Sequence, residues 1–133
     1  MIVDASAILA VVLDEADSAT FVEALRRPAT RRMSSVSFVE AGVRADNDRN
    51  PDRGVAFDKA MHAFGVFVQD VSPYQAMIAR DAYRRFGKGN HPARLNLGDC
   101  FAFALAKARR EPLLFKGNDF AHADILAEIE PAL

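Results

Sequence analysis

The sequence predicts an α/β protein, a three-layer α/β/α sandwich around a short parallel β-sheet. Short apolar runs of strand length alternate with longer segments of helical periodicity. No two-residue turn joins one strand candidate to the next, as an antiparallel hairpin would require. The chain has 133 residues, 50% of them apolar and 26% charged, enough to build a core without disulfides or a structural metal. No internal repeat, low-complexity tract or linker interrupts it, so one domain over residues 1–133 is expected.

Taken in order, Ile2–Val3 reads as a short buried strand and Ala5–Leu13 as a buried helix. Asp17 or Ser18 can cap a second helix, with Phe21, Val22 and Leu25 on one face and Pro28 to stop it. Arg31–Ser35 is a weak strand candidate, followed by a helix from about Ser37 to Asp46. Asn50-Pro51 places a cap before a proline at the first helical position, and Phe57, Met61 and Phe64 form that helix's apolar stripe. Val66–Val68 is a strand. Ser72-Pro73-Tyr74-Gln75 combines a capping box with proline in the first turn and opens a helix that Gly87 can end. Gly87 to Leu97 is the long loop signal. Gly98–Arg110 is a helix so rich in Phe, Ala and Leu that it must be buried nearly all round. Pro112–Phe115 is another short strand, and Ile125–Ile129 adds a last strand or a helical turn.

Composition narrows the function classes. The formal charge of −1 excludes a strongly basic nucleic-acid footprint over the whole chain, though not a local one. Cys100 is alone, so no disulfide framework exists, which suits a reducing cytoplasm. The start lacks the basic region of a signal peptide, and the apolar run Ala5–Leu13 is too short to span a bilayer. A cytoplasmic protein with no membrane partner is expected. His62, His91 and His122 lie far apart in sequence and match no zinc motif.

The informative residues are acids. In a parallel α/β sheet, ligands bind outside the carboxyl ends of the strands. Asp4 follows the first strand directly, and Glu40 lies just inside the helix after the second. Asp99 lies in the first turn of the apolar helix, and Asp119 comes four residues after Phe115. Each has a plainer reading. Asp4 can cap its helix. Ser37-x-x-Glu40 is a capping box. Asp99 suits a helix N-terminus, and Asp119 in Gly-Asn-Asp suits a turn. Together these readings weaken, because like charges gathered in a cleft repel unless a cation neutralises them. No Lys or Arg lies within three residues of Asp4, and Arg44 and Lys116 are the nearest basic neighbours of Glu40 and Asp119. A hard divalent cation, Mg²⁺ or Mn²⁺, suits carboxylate and water oxygens. Such ions activate water and stabilise charge developing on a phosphoryl group.

MIVDASAILA at the start, SSVSFVEAGVR in the middle and LNLGDCFAFALAKARREPLLFKGNDF near the end resemble PIN-domain ribonucleases, specifically the VapC-type toxins of bacterial toxin–antitoxin pairs. The resemblance covers essentially the whole chain. It implies a PIN-like fold and a Mg²⁺-dependent endoribonuclease (Mn²⁺ as the other candidate) that cuts structured RNA, tRNA or ribosomal RNA, and blocks translation. By the same resemblance Asp4 and Asp99 hold the principal cation, and Glu40 and Asp119 complete the shell directly or through water. Ser6 matches a small hydroxyl position that supports the first aspartate, or else is a second cap residue for the same helix. Many relatives carry two acids at the last turn; here Asn118 precedes Asp119, which takes the acidic role with Asn118 as an orienting neighbour. The resemblance also implies a small VapB-type antitoxin and a homodimer, with Ala5–Leu13, Asp17–Arg26 and Phe38–Val43 as groove walls for the antitoxin.

Arg84, Arg85, Lys88, Arg94 and Lys116 are candidate contacts to RNA phosphates, or else solvated charges at helix ends. Tyr74 and Tyr83 are candidate stacking residues, or half-buried packing. Cys100 is expected to be a small core residue, since no basic neighbour activates it. Two rival classes remain. A metal-dependent phosphatase or phosphotransferase would want a second acid two residues after Asp4, where Ser6 stands. A phospho-receiver or acidic binding module would want two acids after the first strand. No Gly-x-Gly-x-x-Gly follows that strand, so a dinucleotide-binding reading fails.

Overall fold

A computed structural model describes residues 1–133. Strands β1 (Ile2–Val3), β2 (Arg31–Ser34), β3 (Val66–Gln69) and β4 (Leu113–Leu114) form one sheet in the order β3-β2-β1-β4, all parallel. Between them run α1 (Ala5–Val12), α2 (Ser18–Arg26), α3 (Ser35–Asp46), α4 (Asp52–Ala63), α5 (Pro73–Phe86) and α6 (Leu97–Arg109), with α7 (Ala123–Leu126) near the end. Ile2 lies opposite Arg32 on one side and Leu113 on the other. The chain therefore grows outward from β1 to β3 and returns to the far side of β1. That reversal makes the β1–β4 boundary the switch point where open α/β sheets bind ligands.

Strand alternation explains the three layers. Successive side chains point to opposite faces, so Ile2 and Leu113 enter one core with Phe86, Leu95, Phe103 and Ile125. Val3 and Leu114 enter the other with Ile8, Phe21, Leu25 and Phe57. Helices α5 and α6 cover the first face, and α1 to α4 build the second. Helix α6 is buried from Gly98 to Ala106 apart from the half-buried Phe101, because it packs on α5, reaches the sheet and touches α3.

Most boundaries agree with the sequence expectations to within one or two residues, and the differences have local causes. Ser34 ends β2 and caps α3, accepting the Val36 N–H at 3.3 Å, so that helix begins at Ser35 rather than Ser37. Asn96 caps α6, which begins at Leu97. Gly87 ends α5 in an extended conformation; any Cβ there would collide with the Tyr83 carbonyl oxygen. The segment after α7 docks on β4, with Leu113 N–H donating to Glu130 at 2.8 Å and Ala132 N–H to Leu113 at 2.8 Å. The expected last element is thus a helical turn followed by a bridge to the sheet. No helix is long and apolar enough to cross a membrane.

Candidate active site

Asp4 leaves β1 with its N–H on the Leu114 carbonyl at 2.9 Å and caps α1. Its Oδ2 accepts the Ser6 N–H at 3.0 Å and the Ser6 hydroxyl at 2.5 Å. Ser6 Oγ in turn accepts the Lys116 N–H at 2.9 Å, fastening the turn after β4 to the end of β1. That turn carries Asn118 and Asp119, both exposed. Asp4 itself is only 2% exposed, and its second oxygen, Oδ1, is buried with no hydrogen-bond partner. An unpartnered buried carboxylate oxygen is costly unless something neutralises it.

Asp99 performs two tasks at the start of α6. Its N–H donates to Asn96 Oδ1 at 2.7 Å, and its Oδ2 accepts the Asn96 N–H at 3.0 Å, a complete capping box. Glu40 arrives from α3 and lies against Gly98; a Cβ at Gly98 would overlap the Glu40 carboxylate, with Oε1 at 2.9 Å. The expected Ser37–Glu40 capping box does not form, because Ser37 lies inside the helix that Ser34 caps. Its hydroxyl is buried without a partner, one turn before Glu40. Glu40 is therefore free of the structural role that competed with a functional one.

The acids interact with one another. Burial, opposed by the Ser6 hydrogen bonds and reinforced by Asp119, raises the Asp4 carboxyl above the ordinary range. Burial and then the charge of Asp4 raise Glu40. Asp99 is pushed up to about 7, by burial first and then by Asp4, with Asp119 and Glu40 adding and the Asn96 N–H opposing. Four acids from four segments thus share one electrostatic site. No three His, Cys, Asp or Glu side chains stand as a finished coordination shell. The donor set nevertheless fits a hard divalent cation, being all carboxylate, with Asp4 Oδ1 in want of a partner.

The basic candidates divide. Arg84 and Arg85 pair with Asp81 at 2.8 and 3.2 Å, and Arg85 also holds Glu128. Lys116 reaches away from Asp119 to Glu15 and Asp17, the latter at 2.9 Å. Lys88 and Arg94 stay exposed on the loop that leads to Asp99. Tyr74 and Tyr83 are exposed on α5. Cys100 is fully buried, and burial followed by the Asp99 charge pushes its thiol up to about 12, leaving it inert.

Two residues were missed in the sequence. Asn96 was readable from Asn-x-x-Asp, a capping-box spacing. Gly98 carried no signal of its own, since its role is to leave room for a side chain from a distant helix. Gly98→Ala is expected to fold with stability changed by no more than about 1 kcal/mol, because alanine favours helix and the Glu40 tip can swing aside. Any activity that uses these acids should fall by about 10- to 100-fold as Glu40 is displaced. Melting curves beside reaction rates measure both.

The PIN domain family profile matches residues 1–126. The protein called ribonuclease VapC28 of Mycobacterium tuberculosis is 47% identical over 126 residues, 94% of this chain and 95% of its own. Ribonuclease VapC42 of the same species is 44% identical over 126 residues, 94% and 96% of the two chains. Among solved structures, M. tuberculosis VapC20, described as a sarcin–ricin loop cleaving toxin, superposes with a TM-score of 0.73 at 18% identity, covering 90% of this chain and 92% of that one. A toxin–antitoxin complex from Klebsiella pneumoniae gives 0.67 at 17% identity, covering 93% and 92%. At such identities the structures speak for the fold; the sequence relatives speak for the family. This chain belongs to the PIN-domain family, among the VapC ribonucleases.

Proposed function

We propose that this chain, as one PIN-like unit over residues 1–133, is a Mg²⁺-dependent endoribonuclease and the toxin of a VapBC-type toxin–antitoxin pair. It acts in the cytoplasm and cuts structured RNA, tRNA or ribosomal RNA, to inhibit translation; Mn²⁺ is the other cation the donors suit. The observation that carries this reading is Asp4 Oδ1, buried and unpartnered, at the switch point of the sheet, among acids whose charges add to burial in raising Asp4, Glu40 and Asp99.

Asp4 and Asp99 are the principal ligands, with Glu40 and Asp119 completing the set directly or through water. When bound, the cation activates water for attack on the scissile phosphate and stabilises the charge that develops there. The protein's own contribution is placement. Ser6 holds one Asp4 oxygen and leaves the other without a protein partner. Asn96 fixes the Asp99 carboxylate, and Gly98 admits Glu40 beside it. Asp99 must shed its proton to ligate, which a carboxyl titrating near 7 does readily at neutral pH. Asn118 orients water in the turn that Ser6 fastens. The phosphatase and receiver alternatives lose their key position, because Ser6 serves Asp4 as a hydrogen-bond donor where they need an acid.

Two partners complete the proposal. The cognate VapB-type antitoxin would cover α3, where Val39 and Val43 are 58% and 54% exposed, beside a recess lined by Ser6, Leu9, Leu13 and Gly117. A second copy would form the homodimer, giving toxin–antitoxin hetero-oligomers. Incubation of the pure protein with total bacterial RNA tests the activity. Discrete fragments with Mg²⁺ or Mn²⁺, lost in EDTA, are expected. Intact RNA under every cation would overturn the assignment.

A further inference from the structure

Of the five basic residues expected near the substrate, Arg84, Arg85 and Lys116 are paired with acids, while Lys88 and Arg94 make no ion pair. These two line the same open recess of about 460 Å³, together with Gly89, Asn90, His91 and Pro92. The loop that carries them, residues 87–96, is tightly tied. Lys88 N–H donates to Leu95 at 3.0 Å and Leu95 N–H to Phe86 at 3.0 Å, closing its base. Ala93 and Leu95 are buried as plugs on either side of the exposed Arg94. Arg94 holds φ at +56°, a left-handed conformation that costs a non-glycine residue energy and persists where the surroundings impose it.

His91 supplies much of that constraint. Its Nδ1 accepts the Ala93 N–H at 3.0 Å, which assigns the ring proton to Nε2. Nε2 then donates to Asp124 Oδ2 on α7 at 2.7 Å. The ring is wedged between Phe86 and His122, each 5.3 Å away by centroid. His91 also gives its carbonyl to the Arg94 N–H at 3.0 Å. Two residues beyond Arg94, Asn96 grips Asp99, so the loop is in fixed register with the acids.

We propose that the 87–96 loop is a preformed arm that binds the phosphodiester backbone of RNA beside the cut. Lys88 and Arg94 contact phosphates, and His91 and Asp124 are positioning residues that hold the arm. The acidic site repels the substrate backbone, so unpaired cations in fixed register with Asp99 supply the attraction and set where the strand enters. The arm rests on the ribonuclease reading, and its test separates the two.

The test is binding of a short fluorescein-labelled single-stranded RNA of mixed sequence, followed by anisotropy in EDTA over a range of salt. Lys88→Ala and Arg94→Ala are each expected to weaken binding and to lower the slope of log K against log salt by about 0.7, one phosphate contact on a single strand. Arg110→Gly, about 16 Å from Asp99 along α6, should leave the slope unchanged. Asp124→Ala should weaken binding and lower the slope, and Asp124→Asn should restore both, because a carboxamide oxygen still accepts from Nε2. Unchanged slopes for Lys88→Ala and Arg94→Ala, in a protein that cuts RNA with Mg²⁺, overturn the arm. An unchanged slope for Asp124→Ala overturns the positioning role. Failure of the unmodified protein to cut any RNA overturns the ribonuclease reading instead.

Discussion

Asp99→Asn is expected to lose RNA cleavage by more than about 100-fold and yet to be more stable than the unmodified protein at neutral pH without a cation. Loss of outer-shell partners alone costs a metal site 10- to 100-fold, and removal of a direct ligand exceeds that. Asparagine keeps an acceptor for the Asn96 N–H, so the cap of α6 survives. The gain in stability comes from removing a charge the fold disfavours. The folded Asp99 carboxyl titrates near 7 against an ordinary 3.8, so between those values the folded state binds more protons than the unfolded one. Its contribution to stability therefore declines as pH rises from about 4 to about 7 and is level above that, with a ceiling of about 4 kcal/mol. Thermal melts in EDTA across that window should show this decline weakened in Asp99→Asn. A variant that is both less stable at pH 7 and inactive would reduce Asp99 to a helix cap.

The cation should reverse the same penalty. At pH 8 and a concentration 100 times its dissociation constant, Mg²⁺ is expected to stabilise the unmodified protein by about 2.7 kcal/mol, raising the melting temperature by roughly 10 °C. The effect should shrink at pH 5. Asp4, Glu40 and Asp99 all have raised pKa values, so protons compete for the same oxygens as pH falls. Cleavage should decline over the same acidic window. Asp4→Asn should abolish the stabilisation at both pH values, since it replaces the buried oxygen that lacks a partner. Equal Mg²⁺ shifts in the two proteins would place the cation elsewhere.

Much of this was readable in the sequence because local rules and the global fold agree. Ser72-Pro73 starts α5, and the dense apolar run before Arg110 forms α6 as expected. Asp4, Glu40 and Asp119 lie beyond the ends of β1, β2 and β4, where one topological rule puts ligands, whereas Asp99, at the start of α6, follows no strand. What local patterns could not supply were contacts between distant segments. Ser37 offered a good cap spacing to Glu40, but Ser34, three residues earlier and itself the last residue of β2, took the role. Lys116 looked like a cation for Asp119, yet the acids between α1 and α2 fold back to claim it. Likewise His91 and Asp124, and Gly98 and Glu40, meet only through packing.

Calorimetric titration of Mn²⁺ into the unmodified protein and into Asp4→Asn tests the central claim most directly. Saturable binding by the unmodified protein, releasing protons near pH 7 and lost in Asp4→Asn, is the result expected of acids gathered to hold a cation. Equal binding by both proteins, or none by an unmodified protein that still cuts RNA in EDTA, would contradict it.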